Sequence, residues 1–100
     1  MNEKELTVEE TFELAVQNHK KNNLQEAEKL YKKILETSPN YAGVHYNLGI
    51  MYKELKEYPK TISSYEKAIK INPNYIEAHT NLGMIYTELL EFQKAINCYE

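Results

Sequence analysis

Apolar residues recur along this chain at helical spacing. Leu24, Ala27, Tyr31, Ile34 and Leu35 fall on one face of a 3.6-residue period, and Tyr58, Ile62, Tyr65, Ala68 and Ile69 repeat the rule. Two further segments behave alike: Val44, Leu48, Met51, Tyr52 and Leu55, then Ala78, Leu82, Ile85, Tyr86 and Leu89. No segment carries the sustained two-residue alternation of a half-buried strand. The pattern therefore predicts an all-α chain of short amphipathic helices.

Start and stop signals divide these helices. Thr7 with Glu10 three residues later reads as a capping box, in which each side chain satisfies the other's open backbone amide. Asn74 with Glu77 offers the same arrangement, and Asn40 is a candidate cap, although Gly43 denies it the acidic partner. Pro39 and Pro73 cannot continue a helix and disfavour helical geometry in the residue before them. Pro59 falls instead at a helix start, where a missing N–H is no loss.

The segments are copies of one another. Ser38-Pro39-Asn40-Tyr41 returns as Asn72-Pro73-Asn74-Tyr75, and His45-Tyr46-Asn47-Leu48-Gly49 returns as His79-Thr80-Asn81-Leu82-Gly83, both 34 residues later. Tyr52 matches Tyr86, Glu54 matches Glu88, and Tyr31 is carried to Tyr65 and Tyr99. Self-similarity at such a period is the mark of a stacked repeat architecture. The units are residues 8–41, 42–75 and 76–100, after a lead of residues 1–7. The third is shorter than the others and reads as cut inside its second helix. Gly49 and Gly83 sit inside apolar helical patterns, where glycine costs about 1 kcal/mol relative to alanine. Close approach of a partner helix, with Ala68 or Ala95 facing the glycine, is the expected compensation; Ala15 stands at the equivalent place in the first unit.

Composition narrows the function. In 100 residues, Lys plus Arg number 12 and Asp plus Glu 15, for a net charge of -3. That balance offers no electrostatic footprint for nucleic acid or an anionic membrane. One cysteine, Cys98, excludes an internal disulfide and a Cys-rich metal site. No apolar run approaches the roughly 20 residues that span a bilayer, and no signal peptide is visible. A cytoplasmic protein is expected.

The residues that carry the periodicity resemble the tetratricopeptide repeat, a 34-residue helix–turn–helix. Unit two matches in Leu48-Gly49, Tyr52, Tyr58, Tyr65, Ala68 and Pro73; unit three matches in Leu82-Gly83, Tyr86, Phe92, Ala95 and Tyr99. Unit one diverges but keeps Leu14-Ala15, Leu24, Ala27, Tyr31, Ile34 and Pro39, with Asn18 where unit two has Tyr52. The aromatic residue usual near the start of the first helix is replaced by Thr11, His45 and His79. The resemblance implies a right-handed α-solenoid of antiparallel helix pairs, with first helices lining a concave face. The style of the array is also similar to bacterial repeats that precede glycosyltransferase or sulfotransferase domains, including relatives of the peptide N-acetylglucosaminyltransferase. On that resemblance the chain is a substrate-recruiting region of a larger enzyme whose chemistry lies elsewhere.

In this family the concave face is the usual binding surface, and the resemblance places seventeen positions there. Unit one supplies Glu9, Phe12, Glu13, Val16, His19 and Lys20. Unit two supplies Tyr46, Asn47, Ile50, Lys53 and Glu54, and unit three Glu77, Thr80, Asn81, Met84, Thr87 and Glu88. Five acids, two bases and four apolar side chains suit an extended peptide or a short helix. Asn47 and Asn81, one repeat apart, are the leading candidates, because an Asn amide both donates to and accepts from a peptide backbone. The alternative is that both bond locally as part of the common repeat pattern. Chaperone-binding relatives instead hold an acidic C-terminal tail in a basic clamp; Phe12, Val16, Asn47, Glu77 and Asn81 stand at the clamp positions, and only Asn47 fits.

Other chemistries find little support. His45 and His79 lie a full repeat apart, and neither they nor His19 has a Cys, His or Asp partner three or four residues away, so no metal site is expected. Tyr31, Tyr52, Tyr65, Tyr86 and Tyr99 fall on core-facing rows rather than on a stacking platform for bases, with Tyr46 the exception. Cys98 lacks a neighbouring His or Lys and reads as a structural thiol. Ser63-Ser64 forms no nucleophile elbow, there is no Gly-rich phosphate loop, and nothing calls for a cofactor. Enzymatic activity is not expected. A self-associating surface is the competing expectation, since Ile85, Leu89, Leu90 and Ile96 would lack a covering helix.

Overall fold

The computed structural model describes residues 5–89 and 96–98. Leu90, Phe92, Ala95 and Tyr99 lie outside them. Five helices follow in order: α1 (Val8–Lys20), α2 (Leu24–Thr37), α3 (Ala42–Glu54), α4 (Tyr58–Ile71) and α5 (Ile76–Glu88). Residues 96–98 are also helical, and no strand occurs among the described residues. The first helices of the three units begin at Val8, Ala42 and Ile76, at the repeat interval.

The helix limits follow local chemistry. At α1, the Glu10 N–H donates to Thr7 Oγ1 and the Thr7 N–H donates to Glu10 Oε1, both at 3.0 Å. This is the capping box read from the sequence. The caps expected at Asn40 and Asn74 do not form: Tyr41 and Tyr75 occupy the N-cap positions of α3 and α5, without a side-chain cap bond. In the turn before α5 the Asn74 N–H donates to Asn72 Oδ1 at 3.2 Å, an Asx turn closed by the side chain of Asn72. Pro59 lies in the first turn of α4, while α2 and α4 end at Thr37 and Ile71, two residues before Pro39 and Pro73.

Two tight turns join the helices within pairs, and both use a residue with positive φ: Asn22 (65°) and Lys56 (61°). Asn22 donates to the His19 carbonyl and Asn23 to the Asn18 carbonyl; Lys56 donates to Lys53 and Glu57 to Tyr52. These are Schellman closures, in which the left-handed residue turns two backbone N–H groups onto the last open carbonyls. Neither position is a glycine, so composition did not announce them.

The described residues divide into two compact units, 1–40 and 41–100. In the first, α1 packs on α2 around buried Ala15, Ala27, Leu30, Tyr31 and Ile34. In the second, α4 packs against both α3 and α5. Its core holds Val44, Leu48, Met51, Tyr52, Tyr65, Ala68, Ala78, Leu82, Ile85 and Tyr86. Tyr31, Tyr52, Tyr65 and Tyr86 are thus core residues, as their helical register requires. Leu55 and Leu89, assigned to the same rows, are 42% and 38% exposed. Each is the C-cap of its helix, one residue beyond the last turn that faces the core.

The close approach expected at Gly49 exists, with a different partner. A Cβ placed there would fall 2.5 Å from Cε1 and 2.6 Å from Cδ1 of Tyr65, rather than against Ala68. The glycine lets an aromatic ring lie across the backbone of α3.

Candidate functional site

That ring builds the candidate site. With no side chain at Gly49 to block it, Tyr65 extends from α4 between the two flanking helices. Its hydroxyl lies 3.5 Å from Nδ2 of Asn81 on α5. The same Asn81 Nδ2 donates to the Tyr46 hydroxyl of α3 at 3.1 Å. Tyr46 is held on both sides: its ring lies 5.7 Å from that of Tyr65 and 5.0 Å from that of Tyr75, tilted by 38° and 31°. Such offset aromatic pairs contribute about 0.5–1.5 kcal/mol beyond their buried area. Two tyrosines, one from α3 and one from α4, therefore fix the amide of Asn81 on α5.

An open groove of about 340 Å³ runs beside this amide, lined by Ile50, Lys53, Glu54, Tyr65, Asn81 and Met84. Ile50, Lys53 and Glu54 share one face of α3 by their spacing of three and four residues, and Asn81 and Met84 share one face of α5. Met84 is 42% exposed, an apolar side chain presented to solvent at the groove. Lys53 Nζ reaches across to Glu88 Oε1 at 3.5 Å, with both side chains partly exposed.

Burial pushes the Tyr65 phenol up to about 12, with the Asn81 hydrogen bond acting against the shift and the charges of Tyr46 and Glu54 adding to it. Tyr65 is therefore a neutral phenol at physiological pH. Tyr75 is raised for the same leading reason, burial.

The sequence-derived candidates separate in the structure. Ile50, Lys53, Glu54, Asn81 and Met84 line one groove, Tyr46 supports it, and Glu88 reaches it through Lys53. Asn47 is half-buried on α3. Thr80 is exposed and lines a separate cavity of about 580 Å³ with Pro73, Asn74, Ile76, His79, Asn97 and Cys98. Thr87 turns its hydroxyl onto the Gly83 carbonyl at 2.9 Å. In the first unit, Phe12 packs edge-on against Tyr31 at 6.1 Å, Val16 and His19 are half-buried, and Lys20 is exposed. Tyr65 is the lining residue that the sequence reading assigned to the core alone. The glycine across from it was the available signal, since a helical glycine marks a close approach and the longest buried side chain nearby is a tyrosine.

Two of the histidines serve the fold. His45 is buried, and His79 Nε2 lies 2.8 Å from the Pro73 carbonyl, tying α5 to the turn before it. No group of three or more candidate metal ligands exists among the described residues. Burial, reinforced by Glu66, pushes the Cys98 thiol up, away from the reactive thiolate. Of the residues expected to form an exposed apolar end, Ile85 is 1% exposed and belongs to the core with Tyr65, Leu82 and Tyr86, because α4 covers it. Leu89 and Ile96 are exposed, at 38% and 51%, and Leu90 lies outside the described residues. No described helix is long and apolar enough to cross a membrane.

Comparison with known proteins agrees with this architecture. Residues 42–75 match one family model of the tetratricopeptide repeat, and residues 64–97 match a second. A crystal structure of MamA superposes with a TM-score of 0.89 at 27% identity, over 93% of this chain and 54% of that one. A second MamA structure gives 0.86 at 27% identity, over 93% and 51%. A MamA double mutant from RS-1 gives 0.84 at 20% identity, over 92% and 52%. The chain thus spans about half the length of the solved structures it matches. No curated protein sequence matches it. The fold class is that of an all-α solenoid.

Proposed function

Because the chain belongs to the tetratricopeptide-repeat family, we propose that it is a non-catalytic interaction scaffold that holds an extended peptide in the groove between α3 and α5. The observation that carries this reading is the fixation of Asn81. Its amide nitrogen is engaged by Tyr46 and Tyr65. An amide held by its nitrogen directs its oxygen away from those hydroxyls, ready to accept from a peptide N–H. Pre-orientation removes part of the ordering cost that binding otherwise meets. Ile50 and Met84 supply the apolar wall, and Lys53 and Glu54 the polar rim. The repeats are taken as residues 8–41, 42–75 and 76–100. Phe12, Val16, His19 and Lys20 form the equivalent face of the first repeat, and Asn47, Thr80 and Glu88 complete the set assigned to the binding faces.

Selection of displayed peptides on the full chain, followed by titration against the Asn81→Ala variant, tests the proposal. One lost hydrogen bond is worth about 1–1.5 kcal/mol, or close to a tenfold loss of affinity. Helicity should not change. Selected peptides that bind Asn81→Ala as tightly as the parent chain would overturn the assignment.

A further inference from the structure

We propose that the solvent-facing side of α5, with the helical residues 96–98, is a docking site for an amphipathic helix of a partner protein. That helix presents an uncharged face of small, aliphatic and aromatic side chains behind a tyrosine at its start. The repeat itself shows what covers such a face. One repeat earlier, Tyr46 is held by the Asn81 amide and by the Tyr75 ring, 5.0 Å away. Ile50 and Ile62 pack against a cluster that includes Leu82, Ile85 and Tyr86. The equivalent positions in the next repeat are Thr80, Met84 and Ile96. Thr80 is exposed, Met84 is 42% exposed and Ile96 is 51% exposed. Ile76 is 72% exposed, where its equivalent Ala42 is half-buried. Beside them lies the cavity of about 580 Å³ with Ile76, Thr80 and Cys98 in its wall. Among the described residues, no carboxylate or lysine lines it. An apolar face open to water marks an interaction surface, and helix-in-groove docking is the mode that suits it. The matching chemistry is that of α5, which buries Ala78, Leu82, Ile85 and Tyr86 behind Tyr75. A second copy of the chain has no such face to offer. The α5 residues and their α3 counterparts Val44, Leu48, Met51 and Tyr52 are already buried. In α1, exposed Glu13 and Gln17 stand where α5 has Asn81 and Ile85, and burying a carboxylate against isoleucines carries a heavy desolvation cost.

The probe is an end-blocked, fluorescein-labelled peptide with the sequence of residues 72–89, the turn and helix that already pack on Tyr46 and α4. A peptide with the sequence of residues 5–21 serves as the comparison. Fluorescence anisotropy during titration with the full chain should show the first binding about tenfold tighter than the second. Ile76→Glu and Ile96→Glu alter exposed positions, so circular dichroism should not change. Each should weaken the probe about tenfold, by setting a carboxylate in the contact. Asn81→Ala should leave its affinity as it was. Bound probe should also slow alkylation of Cys98, the one cysteine of the chain. Affinity that survives both glutamate variants would mean that the probe replaces α5 on α4, and would overturn the proposal. A loss in Asn81→Ala would put the probe in the α3–α5 groove and overturn it as well. Equal binding of the two peptides, or binding by neither, has the same consequence. So does sedimentation in which the chain alone forms dimers that Ile96→Glu dissolves, because a second copy would then be the occupant.

Discussion

Gly49 and Tyr65 show how one missing side chain organises a site. Tyr65 is buried to 1% exposure, so its ring has no room to withdraw from a methyl group at position 49. Gly49→Ala gains about 1 kcal/mol of helix propensity, but overpacking in a filled core costs about 1–3 kcal/mol. A net loss of about 1 kcal/mol in urea unfolding is expected, together with weaker peptide capture as the Tyr65 hydroxyl leaves Asn81. The phenol itself gives a second prediction. Its folded-state value of about 12 lies above the ordinary 10.0, so its contribution to stability is complete below pH 10.0 and is lost as pH rises toward about 12. The amount is on the order of 2 kcal/mol. Ultraviolet titration of the folded protein should contain one late phenolate that is missing in Tyr65→Phe.

At the scale of the helices, ends matter more than middles. Thr7→Ala removes a two-way capping box and should cost about 1 kcal/mol. Asn74→Ala removes no cap and should change stability by less than about 0.5 kcal/mol. Comparing the two variants by denaturation separates a formed box from a sequence that only resembles one. Lys56 holds a left-handed conformation at φ 61°, which costs a non-glycine residue about 1–2 kcal/mol. Lys56→Gly should raise the unfolding midpoint. The same change at Asn22 should do less, since asparagine tolerates that region. The helices were legible because the core period is strong and proline stops lie beyond both second helices. The left-handed turns were not, because Lys56 carries no glycine signal; the ladder of backbone bonds around it imposes the geometry. Leu55 and Leu89 fit the period by spacing, yet the helix ends before either can face inward.

For the molecule as a whole, stability in stacked repeats is a sum of unit and neighbour terms, and the faces left over become binding surfaces. Five of the six groove residues were legible as helix positions on a first-helix face. Their grouping was not, since Thr80 and Asn81 are adjacent in sequence but line different cavities. Nor was the engagement of Asn81 by two tyrosines, which depends on a ring crossing Gly49. That engagement turns a symmetrical donor–acceptor amide into an oriented acceptor. Backbone amide shift mapping of the labelled full chain, during titration with a selected peptide, shows whether the peptide lies along α3 and α5. The largest shifts should fall at Ile50, Lys53, Glu54, Asn81 and Met84. Shifts confined to the exposed outer face of α4, at Ser63, Glu66, Lys67 and Lys70, would contradict it.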